Sequence, residues 1–190
     1  MREPISGLVL SGGAGRRMGG RDKGWVEWQG RPLIEATLAR LRPQVAQVLI
    51  SANRNHERYA ELDAEVFGDA AGDEAFPGPL AGIAAGLARV RTGWLLVVPC
   101  DAPRLPLDLA ARLASGRGAA RAAVASVAQH VEPLFCLLAR DLADDAARAL
   151  HSGERSVARW LATVGAAPVA FADAQAFINI NAPDDDRSAA

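Results

Sequence analysis

The chain has 190 residues, 50% hydrophobic and 23% charged, enough to bury one sizeable core, so a single domain is expected over residues 1–190. A formal charge of −1 supplies no long-range field for nucleic acid or an anionic membrane, so an anionic ligand has to be met by a local cluster of cations. Met1-Arg2-Glu3-Pro4 is not followed by a leader-like run, no segment approaches bilayer length, and the two cysteines and three histidines are scattered; a cytoplasmic protein without a disulfide framework or zinc site is expected.

Residues 5–10 form a short apolar run that stops at Ser11-Gly12-Gly13, the pattern of a buried strand entering a tight loop. Pro32 suits a first helical turn, and Leu33, Ile34, Thr37, Leu38 and Leu41 follow at helical spacing until Pro43. Residues 45–51 read as a strand, 57–62 as a short helix and 64–67 as a third strand. A helix is predicted over 80–90, where Gly82 and Gly86 lie one turn apart and would let it approach a sheet closely. Residues 94–98 make a continuous apolar strand that ends at Pro99-Cys100-Asp101-Ala102-Pro103. Helices then follow over 107–114, 140–150 and 155–163, with strands over 122–127, 133–138 and 169–171. Strands too apolar to have a wet face, separated by helices, predict an α/β chain: a Rossmann-like three-layer α/β/α fold with a mainly parallel central sheet.

In such a sheet ligands bind beyond the carboxyl ends of the strands, which makes residues 11–24 the prime candidate. Gly12, Gly13 and Gly15 carry no Cβ, so successive N–H groups can line a concave anion site, and Arg16, Arg17, Arg21 and Lys23 surround it with positive charge. A Walker loop is excluded because Asp22 precedes Lys23 and Gly24 follows it; a dinucleotide fingerprint starting at Gly13 fails at Met18. Lys23 is the only lysine among 21 basic residues. A compact ammonium can sit between oxygens of two phosphate groups, where a broad planar guanidinium cannot. Asp101, at another strand end, is a candidate Mg²⁺ ligand, since Mg²⁺ bridges one or two carboxylates and substrate phosphates; the alternative is a turn cap ahead of Leu107. Asn53 and Asp69 follow the second and third strands, so polar groups converge on one rim.

Leu10-Ser11-Gly12-Gly13, Arg16-Arg17-Met18-Gly19-Gly20 with Asp22-Lys23, Ser51-Ala52-Asn53-Arg54, Pro77-Gly78-Pro79-Leu80-Ala81-Gly82, Pro99-Cys100-Asp101-Ala102-Pro103 and Asn179-Ile180-Asn181-Ala182-Pro183 follow one another in an order and spacing that resembles the molybdenum cofactor guanylyltransferases, the MobA-type nucleotidyltransferases. The resemblance covers nearly the whole chain. It implies a fold of the nucleotide-diphospho-sugar transferase type, with a GTP-binding N-terminal half and a molybdopterin-binding C-terminal half. The implied reaction moves GMP from Mg·GTP to the terminal phosphate of molybdopterin, giving molybdopterin guanine dinucleotide and pyrophosphate. By position, it implies nucleotide contacts from Leu10, Ser11, Gly12, Gly13, Lys23, Asn53, Asp69 and Asp101, and Mg²⁺ on Asp101. Arg17, Lys23 and Asp101 would be the catalytic groups, with Arg17 offsetting charge as pyrophosphate leaves. Asn179 and Asn181 would lie on the molybdopterin side; their plain alternative is to cap and cross-link loops.

A phosphate monoester is already the nucleophile, so positioning and charge neutralisation carry the acceleration and no Ser-His pair is needed. The product implies docking to molybdopterin-delivering proteins and apo-molybdoenzymes. Three departures stand out from the family pattern: Ser11 for the usual alanine, Ala102 for the usual threonine, and His130-Val131-Glu132-Pro133 where His-Pro is common. Two other readings remain open. Molybdopterin cytidylyltransferases tend to carry alanine where Gly12 here leaves room for a purine, and a non-catalytic GTP-binding accessory module would not need both Lys23 and Asp101.

Overall fold

In the computed structural model, which describes residues 3–11, 22–68 and 78–180, the first strand β1 (Ile5–Leu10) is buried on both faces. Val9 enters one core while Leu8 and Leu10 enter another, as the two-residue period of a strand requires. A two-stranded hairpin, β2 (Glu27–Trp28) and β3 (Arg31–Pro32), precedes helix α1 (Leu33–Leu41). Then come β4 (Gln47–Ser51), α2 (His56–Ala60), β5 (Glu65–Phe67), α3 (Pro79–Arg89) and β6 (Trp94–Pro99). The remainder is α4 (Leu109–Gly116), β7 (Ala122–Val127), β8 (His130–Ala139), α5 (Ala143–His151), α6 (Val157–Thr163) and β9 (Ala167–Phe171).

Among the described residues seven strands form one sheet in the order β5-β4-β1-β6-β8-β7-β9. All neighbours are parallel except β8, which runs antiparallel to both β6 and β7. Apolar residues of α1 and α4, with Tyr59 of α2, cover one face, and those of α3, α5 and α6 cover the other. The three-layer arrangement expected from apolar strands is therefore present. No helix among the described residues is long and apolar enough to cross a membrane.

Several element limits lie two or three residues from the sequence expectation, the β2–β3 hairpin was not expected, and two further local differences have a clear physical reason. Strand β8 begins at His130, ahead of the expected start at 133, because a hairpin joins it to β7 through Ala128 (φ 47°) and Gln129 (φ 68°). Positive φ at both turn positions is the hairpin geometry that favours Asn and Gly, so Ala-Gln carries no local signal for it. Within this pair the register jumps from Val124↔Cys136 to Ala125↔Glu132. Pro133 falls in the jump, where its missing N–H costs no ladder bond. Pro32 also stands one place outside α1, as its N-cap residue and as part of the small hairpin.

The chain order creates the crevice that matters. From β1 the chain proceeds to β4 and β5 on one side, then returns through α3 to β6 on the other side of β1. Leu10 pairs with both Ser51 and Pro99, so the carboxyl ends of β4, β1 and β6 lie level at the switch in strand order.

Gly86 sets how closely α3 approaches this sheet. A Cβ there would lie 2.7 Å from Leu8 Cδ2 and 3.4 Å from Leu95 Cδ2, both on wholly buried side chains with no room to swing aside. Gly86→Val is expected to destabilise the fold by about 1–3 kcal/mol through overpacking, read as a lowered urea midpoint with an unchanged m value.

Candidate active site at the carboxyl rim of the sheet

The hydrogen-bond ladder continues one residue beyond the strands. Ser11 N–H donates to the Ser51 carbonyl (2.8 Å), Cys100 N–H to the Leu10 carbonyl (3.1 Å) and Ala52 N–H to the Phe67 carbonyl (2.9 Å). Ser11, Ala52 and Cys100 are thereby held in neighbouring rows, and Asp101 follows directly. Its backbone is fixed further: Thr37 Oγ1 donates to the Cys100 carbonyl (3.1 Å), and Ile180 N–H donates to the Asp101 carbonyl (3.1 Å).

Lys23 and Asp101, distant in sequence, form a direct ion pair across this rim. The Asp101 side chain is only 6% exposed and that of Lys23 29%. A carboxylate so buried is tolerable only beside a cation, since an uncompensated buried charge costs several kcal/mol.

Lys23 stands on a single 3₁₀ turn, Lys23–Trp25, capped by Asp22. Asp22 Oδ1 accepts from Tyr59 Oη (2.7 Å) and from Gly24 N–H (3.3 Å), and Oδ2 accepts from Asn55 Nδ2 (2.9 Å). The Arg54 guanidinium stands 4.0 Å from the same Oδ2. Tyr59 also hydrogen-bonds Ser11 Oγ. Its ring is fully buried and packs on Trp25 at 5.1 Å, while Arg58 covers the Trp25 ring at 3.7 Å.

Burial, reinforced by the Asp22 contact, pushes the Tyr59 hydroxyl well above the ordinary phenol range, so it stays protonated and able to donate. Burial, with the Asp101 charge adding to it, pushes the Cys100 thiol up to about 12. Cys100 is accordingly a neutral packing residue and not a thiolate nucleophile.

Of the residues singled out from sequence, Leu10, Ser11, Lys23 and Asp101 meet at this rim. Asn53 lies beside the end of β5: a Cβ built on Gly68 would stand 3.8 Å from Asn53 Oδ1. Asn179 is tied in through its neighbour Ile180, which is buried against Trp28, Leu33 and Ala36. Gly12, Gly13, Arg17, Asp69 and Asn181 lie outside the described residues, as do Gly15, Arg16, Met18 and Arg21. The Glu132 carboxyl, in the departing His-Val-Glu-Pro stretch, is raised by partial burial against the opposing pull of His130. Asp22 enters the sequence reading only as part of the Asp22-Lys23 motif, and Asn55 and Tyr59 do not enter it. The available signals were that Asp22 adjoins the only lysine and that Tyr59 is the only tyrosine, but neither places the two together.

Among the described residues no group of three His, Cys, Asp or Glu side chains could enclose a metal alone. One buried carboxylate on a rim is instead the share a protein supplies when Mg²⁺ takes its remaining oxygens from substrate phosphates and water. The donor chemistry of Asp101 fits that role.

Residues 7–167 match the MobA-like NTP transferase domain. The chain belongs to the MobA-like NTP transferase family. A molybdenum cofactor guanylyltransferase of Burkholderia ambifaria is 47% identical over 188 residues, spanning 93% of this chain and 91% of its own length. One of Shewanella amazonensis is 45% identical over 183 residues, spanning 95% and 92%. The crystal structure of molybdopterin-guanine dinucleotide biosynthesis protein A from Archaeoglobus fulgidus matches with a TM-score of 0.74 and 27% identity, covering 96% of this chain and 95% of that one. A 2-C-methyl-D-erythritol 4-phosphate cytidylyltransferase from Thermus thermophilus shares the fold, with a TM-score of 0.71 at 19% identity over 94% and 93% of the two chains. The fold is thus of the nucleotide-diphospho-sugar transferase type, and this family member is a nucleotidyltransferase.

The site is packed tightly beneath its turn. A Cβ on Gly24 would stand 2.5 Å from Tyr59 Oη and 3.1 Å from Ser11 Oγ, and a buried phenol ring is not a flexible neighbour. Gly24→Ala is expected to lose about 1–3 kcal/mol of stability, measurable by urea unfolding.

Proposed function

We propose that the rim around Lys23 and Asp101 is where this guanylyltransferase moves GMP from GTP to molybdopterin, giving molybdopterin guanine dinucleotide and pyrophosphate. The observation that carries this placement is the ion pair between the chain's only lysine and a buried aspartate, set where the strand order reverses.

In this reading Asp101 holds Mg²⁺, which when bound offsets phosphate charge. Lys23 supplies an ammonium to phosphate oxygens from a turn that Asp22 pins in place. Leu10, Ser11, Gly12, Gly13, Asn53 and Asp69 line the nucleotide. The N–H of Ser11 and the carbonyl of Leu10 already serve the sheet, so their part is to set the floor of the pocket. Arg17 compensates charge on the departing pyrophosphate. The N-terminal half thus carries GTP, and the C-terminal half, with Asn179 and Asn181, carries molybdopterin.

The terminal phosphate oxygen of molybdopterin forms the new bond to the α-phosphorus, and the α–β bridge breaks with its electron pair leaving on pyrophosphate. No protein nucleophile is required, which accords with the neutral Cys100 thiol. Gly12 leaves room for a purine. The reading also places the protein in the cytoplasm, passing its product by docking to apo-molybdoenzymes and receiving substrate from molybdopterin-delivering proteins.

Pyrophosphate release with molybdopterin, Mg²⁺ and GTP, run beside CTP, tests the reading. Release with GTP alone is expected; release with CTP alone would overturn the base assignment, and none with either would favour a binding module. Asp101→Ala is expected to abolish Mg²⁺-dependent turnover in a folded protein, and full activity would remove Asp101 from the metal site. Lys23→Arg should lose about tenfold in kcat/KM for GTP, roughly 1.4 kcal/mol, because a planar fork replaces a compact ion; unchanged kinetics would show that the ammonium is not needed.

A further inference from the structure

We infer that the Tyr59 hydroxyl is a positioning group for nucleotide binding, acting through Asp22 on Lys23; this rests on the guanylyltransferase reading above. Asp22 is surrounded by donors: the Asn55 amide, the Gly24 N–H and the Tyr59 hydroxyl all converge on its two oxygens. A carboxylate offers only acceptors, so Tyr59 spends its one proton on Asp22. Its oxygen is then left to accept, and the Ser11 hydroxyl donates to it. The protons are therefore ordered in one direction, Ser11 to Tyr59 to Asp22, and each bond polarises the next.

The chain of hydroxyls joins elements that the backbone leaves apart. Ser11 directly follows β1, Tyr59 belongs to α2, and Asp22 caps the turn that carries Lys23. Asn55 reaches Asp22 from a left-handed backbone conformation (φ 55°) that asparagine tolerates. Gly24 lies directly against the Tyr59 hydroxyl, with no room for a Cβ. Rotation of Asp22 or displacement of the turn would break several of these bonds together, so the ammonium of Lys23 is held opposite Asp101 before any nucleotide arrives. The Ser11 hydroxyl adds a donor to this device.

A purely structural Tyr59 would act through its ring, which packs on Trp25 and is retained by phenylalanine. The positioning role resides in the hydroxyl and can be separated from it. Steady-state kinetics with GTP, molybdopterin and Mg²⁺ would be measured for wild type, Tyr59→Phe, Asp22→Asn and the double variant, alongside thermal unfolding. Tyr59→Phe is expected to raise the KM for GTP about tenfold while kcat and the KM for molybdopterin stay within about twofold. The double variant is expected to be no worse than the more impaired single variant, because both cut the same chain. An unchanged KM for GTP in Tyr59→Phe, equal losses for both substrates, or additive effects in the double variant would each overturn the inference. Should Tyr59→Phe fail to fold, Asp22→Asn with a wild-type KM for GTP would overturn it equally. A wild-type protein that does not turn over GTP would instead remove the guanylyltransferase reading on which the inference rests.

Discussion

A carboxylate cannot be buried alone, and the site is organised around that constraint. Asp101 sits almost wholly inside the protein just beyond the end of β6, and Lys23 reaches it from the short turn Lys23–Trp25. A second carboxylate, Asp22, caps the turn that carries the lysine, and its oxygens are met by hydrogen bonds from Tyr59, Gly24 and Asn55 with the Arg54 guanidinium nearby. The two aspartates divide the work. In the proposed reading Asp101 faces the phosphates, and Asp22 fixes the geometry of the cation that serves them. Preorganisation of this kind is what a phosphoryl-type transfer needs, since the substrates themselves provide nucleophile and leaving group.

The sheet makes the arrangement possible because its rim is welded by backbone bonds that outlast the strands. Ser11, Ala52 and Cys100 each donate to a neighbouring strand end, so the floor of the site continues the hydrogen-bonded ladder of the core beneath it. The chain's late segment then returns to this floor: Ile180 donates to the Asp101 carbonyl and is buried under α1 and the small hairpin. The first and last parts of the described chain therefore meet at Asp101. On the other side of β6, antiparallel β8 and its register jump at Pro133 end the regular pairing short of the rim.

Much of the fold was legible in apolar runs. The predicted limits of β1 and β7 agree with those observed, and α1 and α3 differ by no more than one residue at either end. These segments carry their own evidence, since a strand buried on both faces or a helix with an apolar stripe must have that composition wherever it is placed. The hairpin of Ala128 and Gln129 was not legible, because its left-handed turn uses residues with no preference for it and is imposed by the strands it joins. The β2–β3 hairpin, with two residues in each strand, is too short to leave a period.

The site divides in the same way. Lys23 and Asp101 could be named as candidates from the sequence alone because glycine-rich and Pro-Cys-Asp segments follow apolar strands, and the carboxyl ends of parallel strands are where ligands bind. The family could be read from the same motifs. That Lys23 pairs with Asp101, and that Tyr59 joins Ser11 to Asp22, was decided only by tertiary structure. Those contacts depend on α2 being laid against the turn that follows the glycine segment, and a side chain's partner across such a gap is set by packing, which composition and spacing do not encode.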